Sequence, residues 1–322
     1  MGASCSHCNC EKKNNDRDVQ SFQIEECITI PTCQSNLEKT QMVKYKKAII
    51  IQKYWRGYLI RRTIKQEAAT KLSASKTIPS SLTIDIDSLE CVQKPPYKFV
   101  GGVVYTGQWR GNSRDGYGVQ VWPDGAQYQG EWKKNKANGK GKFIHANGDV
   151  YEGEWEDDKA NGYGIYQHIE GPKYEGNWVN DKQQGFGIEC WPDGSFYEGI
   201  YYNSFKQGKG KYVWSTGQIY TGDWVQNQIS GFGCMIWPDG RKYQGEFHNG
   251  TMHGRGLYTW PDGRKYEGQY FRDKKHGYGV YDWGDGRKYE GEWEFGKQHG
   301  KGCISLNEQI LNGHWNKGKR IN

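Results

Sequence analysis

The sequence predicts a mostly β protein: an elongated, twisted antiparallel β-meander of nine to ten 23-residue hairpins, preceded by one basic α-helix and a disordered N-terminus. Three observations carry this. Tyrosine recurs every 23 residues, at Tyr105, Tyr128, Tyr151, Tyr174, Tyr197, Tyr220, Tyr243, Tyr266 and Tyr289. Each opens Y-x-G-x-aromatic, and eleven residues after each stands a G-x-G pair, from Gly116 and Gly118 to Gly300 and Gly302. The composition agrees: 45 glycines, 14 tryptophans and 23 tyrosines in 322 residues, at a mean hydropathy of −0.97, suit short strands and turns better than one deep core.

In chain order, residues 1–40 are polar and patternless and are expected to be disordered. Their start, Met1-Gly2-Ala3-Ser4-Cys5-Ser6, fits the N-myristoylation pattern at Gly2, and Cys5, Cys8 and Cys10 follow as palmitoylation candidates. One myristoyl chain holds a membrane only marginally, so a second signal is needed. A rival reading, metal held by Cys5, His7, Cys8 and Cys10, makes poor tetrahedral geometry because four ligands crowd six residues. There is no apolar secretory signal and no run of apolar residues long enough to span a bilayer, so reduced thiols on the cytoplasmic face of a membrane are expected.

Residues 41–72 read as a helix with nine Lys or Arg against one Glu, while residues 105–322 carry a net charge of only +1 of the total +7. A nucleic-acid-binding array would need its own basic stripe, so no nucleic-acid partner is expected. Residues 73–97, with Pro79, Pro95 and Pro96, read as a linker, residues 98–316 as the repeat array, and residues 317–322 as a basic tail. Phe99 and Gly102 sit 23 before Trp122 and Gly125, so a half-repeat strand is expected to open the array.

Within each repeat, alternation puts Tyr, Gly and Trp on one strand face and polar residues such as Glu152 and Glu154 on the other. Asp124-Gly125, Asn147-Gly148, Asp193-Gly194 and Asp239-Gly240 predict two-residue turns with positive φ. A ring from the neighbouring strand is expected to lie over the gap each glycine leaves. A tenth copy is broken: Leu311, Gly313 and Trp315 arrive one residue early. At about 4.8 Å per strand, eighteen strands would extend roughly 85 Å before twist, with open edges that make homodimers an expected mode of association.

The Tyr–Gly–Trp and G-x-G spacing over 98–316 resembles the MORN repeat (membrane occupation and recognition nexus). That resemblance implies a single-layer β-meander. It also implies roles as a junctional membrane or phospholipid-binding scaffold, as a ciliary spoke-head or cytoskeletal component, or as an accessory domain on phosphoinositide kinases and a lysine methyltransferase. In the last two, catalysis belongs to an added domain, and no such domain is expected here. In the helix, Ile51-Gln52-Lys53-Tyr54-Trp55-Arg56-Gly57-Tyr58-Leu59-Ile60-Arg61 resembles the IQ motif. The resemblance implies binding of calmodulin, a myosin light chain or a centrin-like EF-hand protein. Ile51 would anchor, Gln52 hydrogen-bond, Tyr54 and Trp55 add apolar contact, Gly57 allow close approach, and Arg56 and Arg61 meet acidic surface. The other reading of this helix is a basic amphipathic segment on anionic lipid, which an EF-hand protein could lift off.

No catalytic residue, cofactor or metal site is expected. His253, His276 and His299 recur 23 apart before G-x-G and read as structural, as do the repeated Glu131, Glu154, Glu246 and Glu292. Acid–base pairs need unlike environments, which repetition does not supply. Arg241-Lys242, Arg264-Lys265 and Arg287-Lys288 form a basic rung. Cross-strand charge pairing accounts for it, with Lys242 on the side of Glu246 and Lys288 on that of Glu292, and contact with acidic lipid or an acidic partner is the alternative.

Overall fold

The computed structural model of the protein describes residues 89–307 and 309–321. The expected N-terminal segment, its lipidation residues, the basic helix and most of the linker lie outside them. The described residues form one open antiparallel sheet of 21 strands, and no helix occurs among them. Every strand pairs with its sequence neighbours, from β1 (Val92–Lys98) with β2 (Val104–Arg110) to β20 (Gln309–Asn316) with β21 (Lys319–Arg320). This is a meander without a crossover.

The two ends differ from expectation. Strand β1 starts inside the segment read as linker and carries Pro95 and Pro96 across a register shift between Lys94 and Tyr97. An edge strand needs amide donors on one side only, so proline is tolerated there. At the other end, Trp315 and Asn316 pair with Arg320 and Lys319 inside the expected tail.

One repeat shows how the residues impose the geometry. In β4 (Gln127–Lys133), Tyr128 and Trp132 are buried while Gln129 and Glu131 are exposed. Tyr128 faces Phe143 and Gly130 faces Gly141 on β5 (Lys136–Ile144). The Tyr128 ring lies flat over this glycine pair. A Cβ on Gly141 would meet its hydroxyl at 2.3 Å, and one on Gly130 would meet Gly141 Cα at 2.4 Å. The covering ring therefore comes from the strand of the first glycine and also spans the paired strand, where sequence reasoning looked only to a neighbour. Tyr128 Oη donates to Glu131 O at 3.0 Å, and Trp132 Nε1 donates to Gly118 O of the preceding hairpin at 3.2 Å.

The rings then lock edge to face. Tyr105 meets Trp109 at 5.2 Å and Trp132 at 5.4 Å, both near perpendicular, and Tyr128 repeats this with Trp132 and Trp155. The chain of T-shaped contacts continues unbroken through Tyr197, Tyr243 and Tyr266 to Trp315. Each such pair adds roughly 0.5–1.5 kcal/mol beyond area burial.

The turns sit the other way round from expectation. At Trp122-Pro123-Asp124-Gly125-Ala126, Gly125 N donates to Trp122 O at 3.0 Å and Trp122 N to Ala126 O at 2.9 Å. Only Gly125 has positive φ, and the Asp124 carboxylate accepts from Ala126 N at 3.1 Å. This is a three-residue loop, a type I turn closed by a left-handed glycine, and proline presets its φ. The two-residue turns lie at the tryptophan end, as at Lys134-Asn135 with φ of 48° and 69°. That pair of left-handed residues defines type I′.

Between the two turns, Gly130↔Gly141 and Trp132↔Ala137 enclose a bulge in which Gly139 takes φ of 93°. The Glu131 carboxylate accepts from Lys140 N at 3.1 Å there, and Glu246 does the same for Arg255 N at 3.0 Å. The repeated acids thus hold the bulge. Each type I′ turn also clasps the hairpin before it: Asn135 N donates to Arg114 O at 3.0 Å, and Asn135 Oδ1 accepts from Arg114 N at 2.8 Å. Asp158, Asp181, Ser204, Asn227 and Asp273 repeat both halves. Gly250, Gly296 and Gly318 make only the main-chain half.

Two outcomes follow. Gly210→Ala, whose Cβ would meet Tyr197 Oη at 2.4 Å with that ring wedged between Tyr201 and Trp224, should cost roughly 2–4 kcal/mol in urea denaturation. Burial pushes the Tyr105 and Tyr289 hydroxyls up to about 12 and those of Tyr151, Tyr174, Tyr197, Tyr220, Tyr243 and Tyr266 higher still. The native value exceeds the unfolded value near 10, so this stability is complete below about pH 10 and is lost as pH rises through about 12. Denaturation midpoints should fall steeply over that window, together with the appearance of tyrosinate absorbance.

Candidate functional site

Beyond the buried tyrosine row, the aromatic face carries a second tier of rings, only partly covered. Trp191, Trp214, Trp237, Trp260 and Trp283 stand at the starts of the three-residue loops and pack against the core. Trp260 lies 4.4 Å from Tyr258, and Trp283 lies 4.9 Å from Tyr281. Tryptophan at this position closes the loop through its backbone and leaves its ring along one side of the face.

Each arginine of the basic rung is held inside its own loop. Arg241 bonds Asp239 at 2.6 Å, and Arg264 and Arg287 reach Asp262 and Asp285 at 2.7 Å. Each guanidinium also lies within 5.5 Å of the centre of the loop's tryptophan ring. Charge pairing does account for the arginines, within their own loops, while the lysines at 265 and 288 pair across strands as expected, though with Asp282. Lys265 and Lys288 approach Asp282 at 3.9 and 3.5 Å, and Lys242 extends from the polar face. Contact of this rung with an acidic surface would compete with these pairs.

The three histidines stay apart. His253 packs 5.2 Å from Phe271 and His276 lies 5.3 Å from Phe295, while His299 approaches Glu294 at 3.5 Å. No group of three candidate metal ligands occurs among the described residues.

Sequence reasoning missed two features. The first is a buried polar cluster where the Pro-Asp-Gly loop is replaced. The Asp149 carboxylate accepts from Tyr166 Oη at 2.7 Å, Asn147 Nδ2 at 2.9 Å and Ile169 N at 3.0 Å, with His168 Nε2 at 3.6 Å. Burial raises its pKa, but these donors and His168 outweigh that and hold the carboxyl below its usual range. Burial pushes the neighbouring His145 imidazole down to about 4 against the opposing pull of the Asp149 charge. This cluster ties two loops together.

The second feature is a row of cations on the aromatic face, nine residues after Tyr105, Tyr197 and Tyr266: Arg114, Lys206 and Lys275. The other repeats place Ala137, Ala160, Gln183, Ile229, Met252 and Gln298 there. Arg114 lies 4.3 Å from the centre of the Trp132 ring and donates to Gln120 Oε1 and Asn135 O. Lys206 sits 4.8 Å from Trp191 and 5.0 Å from Tyr197, and its ammonium meets the Glu189 carboxylate at 2.9 Å. Lys275 is surrounded by Trp260, Tyr266, Tyr281 and Trp293 at 4.0–5.3 Å. Burial, with some repulsion from Arg264, pushes its ammonium down to about 8.

Removing these two lysines should have unlike effects. Lys206→Met leaves the half-buried Glu189 carboxylate with the Tyr201 hydroxyl but no counter-charge and should cost about 3 kcal/mol in urea denaturation. Lys275→Met deletes a desolvated charge and should be neutral or stabilising. The burial cost of the Lys275 ammonium is full below about pH 8 and disappears above the unfolded value of 10.5. Any advantage of Lys275→Met over the native chain should therefore shrink across that interval.

The family model of the MORN repeat matches nine segments, 105–127, 128–150, 151–171, 174–196, 197–219, 220–240, 243–263, 266–286 and 289–306. The model of the IQ calmodulin-binding motif matches residues 45–65. No curated protein matches the chain. Among solved structures, it is similar to the TCP domain of SAS-4 (dCPAP) of Drosophila melanogaster in complex with a proline-rich motif of Ana2 (dSTIL), at 12% identity over 59% of this chain and 93% of that chain, with a TM-score of 0.30. It is also similar to catalytically inactive virginiamycin B lyase from Staphylococcus aureus with quinupristin, at 14% identity over 71% of each chain, with a TM-score of 0.14. Both matched families are repeat or binding motifs without chemistry of their own. The periodic array and the family match together place this chain in the MORN-repeat family, with an IQ calmodulin-binding motif ahead of its repeats.

Proposed function

We propose that the protein is a non-catalytic scaffold at the cytoplasmic face of a membrane. The carrying observation is the pairing of an IQ motif at 45–65 with a sheet whose aromatic face presents half-covered rings along its length. In this reading the IQ helix holds calmodulin or a similar EF-hand protein, with Ile51 and Gln52 gripped and Arg56 and Arg61 against acidic surface. The array offers its aromatic face to a second partner. Gly2 and Cys5, Cys8 and Cys10 supply the acyl anchor, and the basic helix reinforces it. What supports a binding role over a chemical one is the repetition of near-identical environments along the array.

Calmodulin–agarose tests the first half. The native chain is expected to be retained, and the combined Ile51→Ala, Gln52→Ala and Arg56→Ala variant to flow through. Equal retention of both would discard the IQ assignment. Membrane fractionation of cells expressing the native chain and Gly2→Ala tests the second half. The variant is expected in the soluble fraction, and its persistence in the membrane pellet would remove the acyl anchor from the proposal.

A further inference from the structure

The three cations on the aromatic face occupy the same position in their repeats, so their surroundings compare directly. Arg114 has two chain oxygens as acceptors. Lys206 has the Glu189 carboxylate, which also accepts from Tyr201 Oη at 2.9 Å. The residue 69 positions after Glu189, in the same relation to Lys275, is Tyr258. Lys275 thus has the aromatic cage of its counterpart without the carboxylate.

Its contacts shift accordingly. Lys206 rests on Trp191, Tyr197 and Tyr201, on the side of Glu189. Lys275 comes closest to Tyr281 at 4.0 Å and Trp293 at 4.8 Å, on the side of the following repeat. That side opens into a cavity of about 360 Å³ lined by Lys275, Tyr281, Trp283, Trp293, Lys297 and Lys317, among others, with no Asp or Glu in its wall. Gly296 and Gly318 also border it. At these two turns the polar clasp residue of earlier repeats is replaced by hydrogen, so no side chain there reaches toward the strand before.

We propose that this cavity is a carboxylate-binding subsite, in which Lys275 receives an Asp or Glu side chain from an acidic peptide segment of a partner laid along the aromatic face. The array itself demonstrates the chemistry at Lys206, where a glutamate enters an equivalent cage and satisfies both the ammonium and a tyrosine hydroxyl. Lysines at 297 and 317 add positive charge at the mouth, and Trp283 and Trp293 supply apolar wall beside the pair. The opposite charge of a carboxylate there would offset the desolvation that depresses the Lys275 ammonium. The inference deepens the scaffold reading by naming the chemistry of the second partner, and it rests on the aromatic face being a partner surface.

The test uses the full-length protein at physiological salt, with an N-acetylated, C-amidated oligoglutamate peptide and its oligoglutamine counterpart as probes. Titration is followed by tryptophan fluorescence, and accessibility of each lysine by acetic anhydride labelling read by mass spectrometry. The oligoglutamate peptide is expected to bind at least about tenfold more tightly than oligoglutamine and to protect Lys275 but not Lys140, which lies on the opposite face. Lys275→Met should lose that preference, while Lys140→Met should keep it. Tyr258→Glu, which supplies the missing carboxylate within the chain, should weaken peptide binding; Lys275→Gln stands in if that variant does not fold by circular dichroism.

Oligoglutamine with a free C-terminus separates a terminal carboxylate from a side-chain one. Tight binding of that peptide alone would overturn the side-chain assignment. Undiminished binding by Lys275→Met, absence of binding by the native chain, or a Lys275-dependent response only to phosphatidylserine vesicles would each overturn the proposal. Because the probe is a defined peptide, any of these failures leaves retention on calmodulin–agarose unaffected, so the two readings fail separately.

Discussion

The structure depends on one contact: a tyrosine ring lying flat on a pair of glycines that face each other across a hairpin. Any side chain at either glycine would lift the ring, because the space a Cβ needs is occupied by the phenol or by the facing backbone. With the ring flat, its edges are free to receive the large aromatics of its own repeat and the next. The tyrosine hydroxyl then returns to the carbonyl three residues on, which fixes the depth of the ring. A single-layer sheet has no second layer to bury its apolar face. Here the rings form that layer themselves, drawn from the same strands they cover.

This arrangement makes stability local. Each repeat touches only its neighbours, so the energy resolves into repeat terms and interface terms. Buried charge enters such a system only where the local face can accommodate it. The aromatic face does so at Arg114 and Lys206, by combining ring faces with chain oxygens. The rung of arginines beside the loops is likewise consumed by the loop aspartates and tryptophans. The polar face is occupied largely by acids and amides whose bonds hold bulges and turns. Apolar surface open to recognition remains in the half-covered second tier of rings and, on the polar face, at Tyr117, Tyr163, Phe186, Phe232 and Tyr278.

Much of this was legible in the sequence because the repeat is strict. Nine tyrosines in phase fixed the strand face, the burial pattern and the length of the array, and the IQ spacing stood out on its own terms. Other parts were hidden for physical reasons. Asp-Gly is a strong two-residue turn signal, but a preceding Pro123 commits its own φ and lengthens the loop, while the true tight turns use pairs such as Lys134-Asn135 that look unremarkable in isolation. The clasp residues Asn135, Asp158, Asp181, Ser204 and Asn227 are themselves 23 apart and could have been found by the same count. Lys206 and Lys275 could not. In a polar strand a lysine looks solvent-facing, and only the register puts these two among rings. The N-terminal segment and the IQ helix were read from their motifs alone.

The clasps have a further consequence. From Asn135 to Asn227, and again at Asp273, each type I′ turn grips the preceding hairpin with a side chain as well as an amide, whereas Gly250, Gly296 and Gly318 grip with the amide alone. In a nearest-neighbour system, fraying starts where the seam is thinnest. The thin seams therefore lie at Gly250 and at the last two turns, so the seam that follows Lys275 parts at lower cost than the one before it, which Asp273 holds with its side chain.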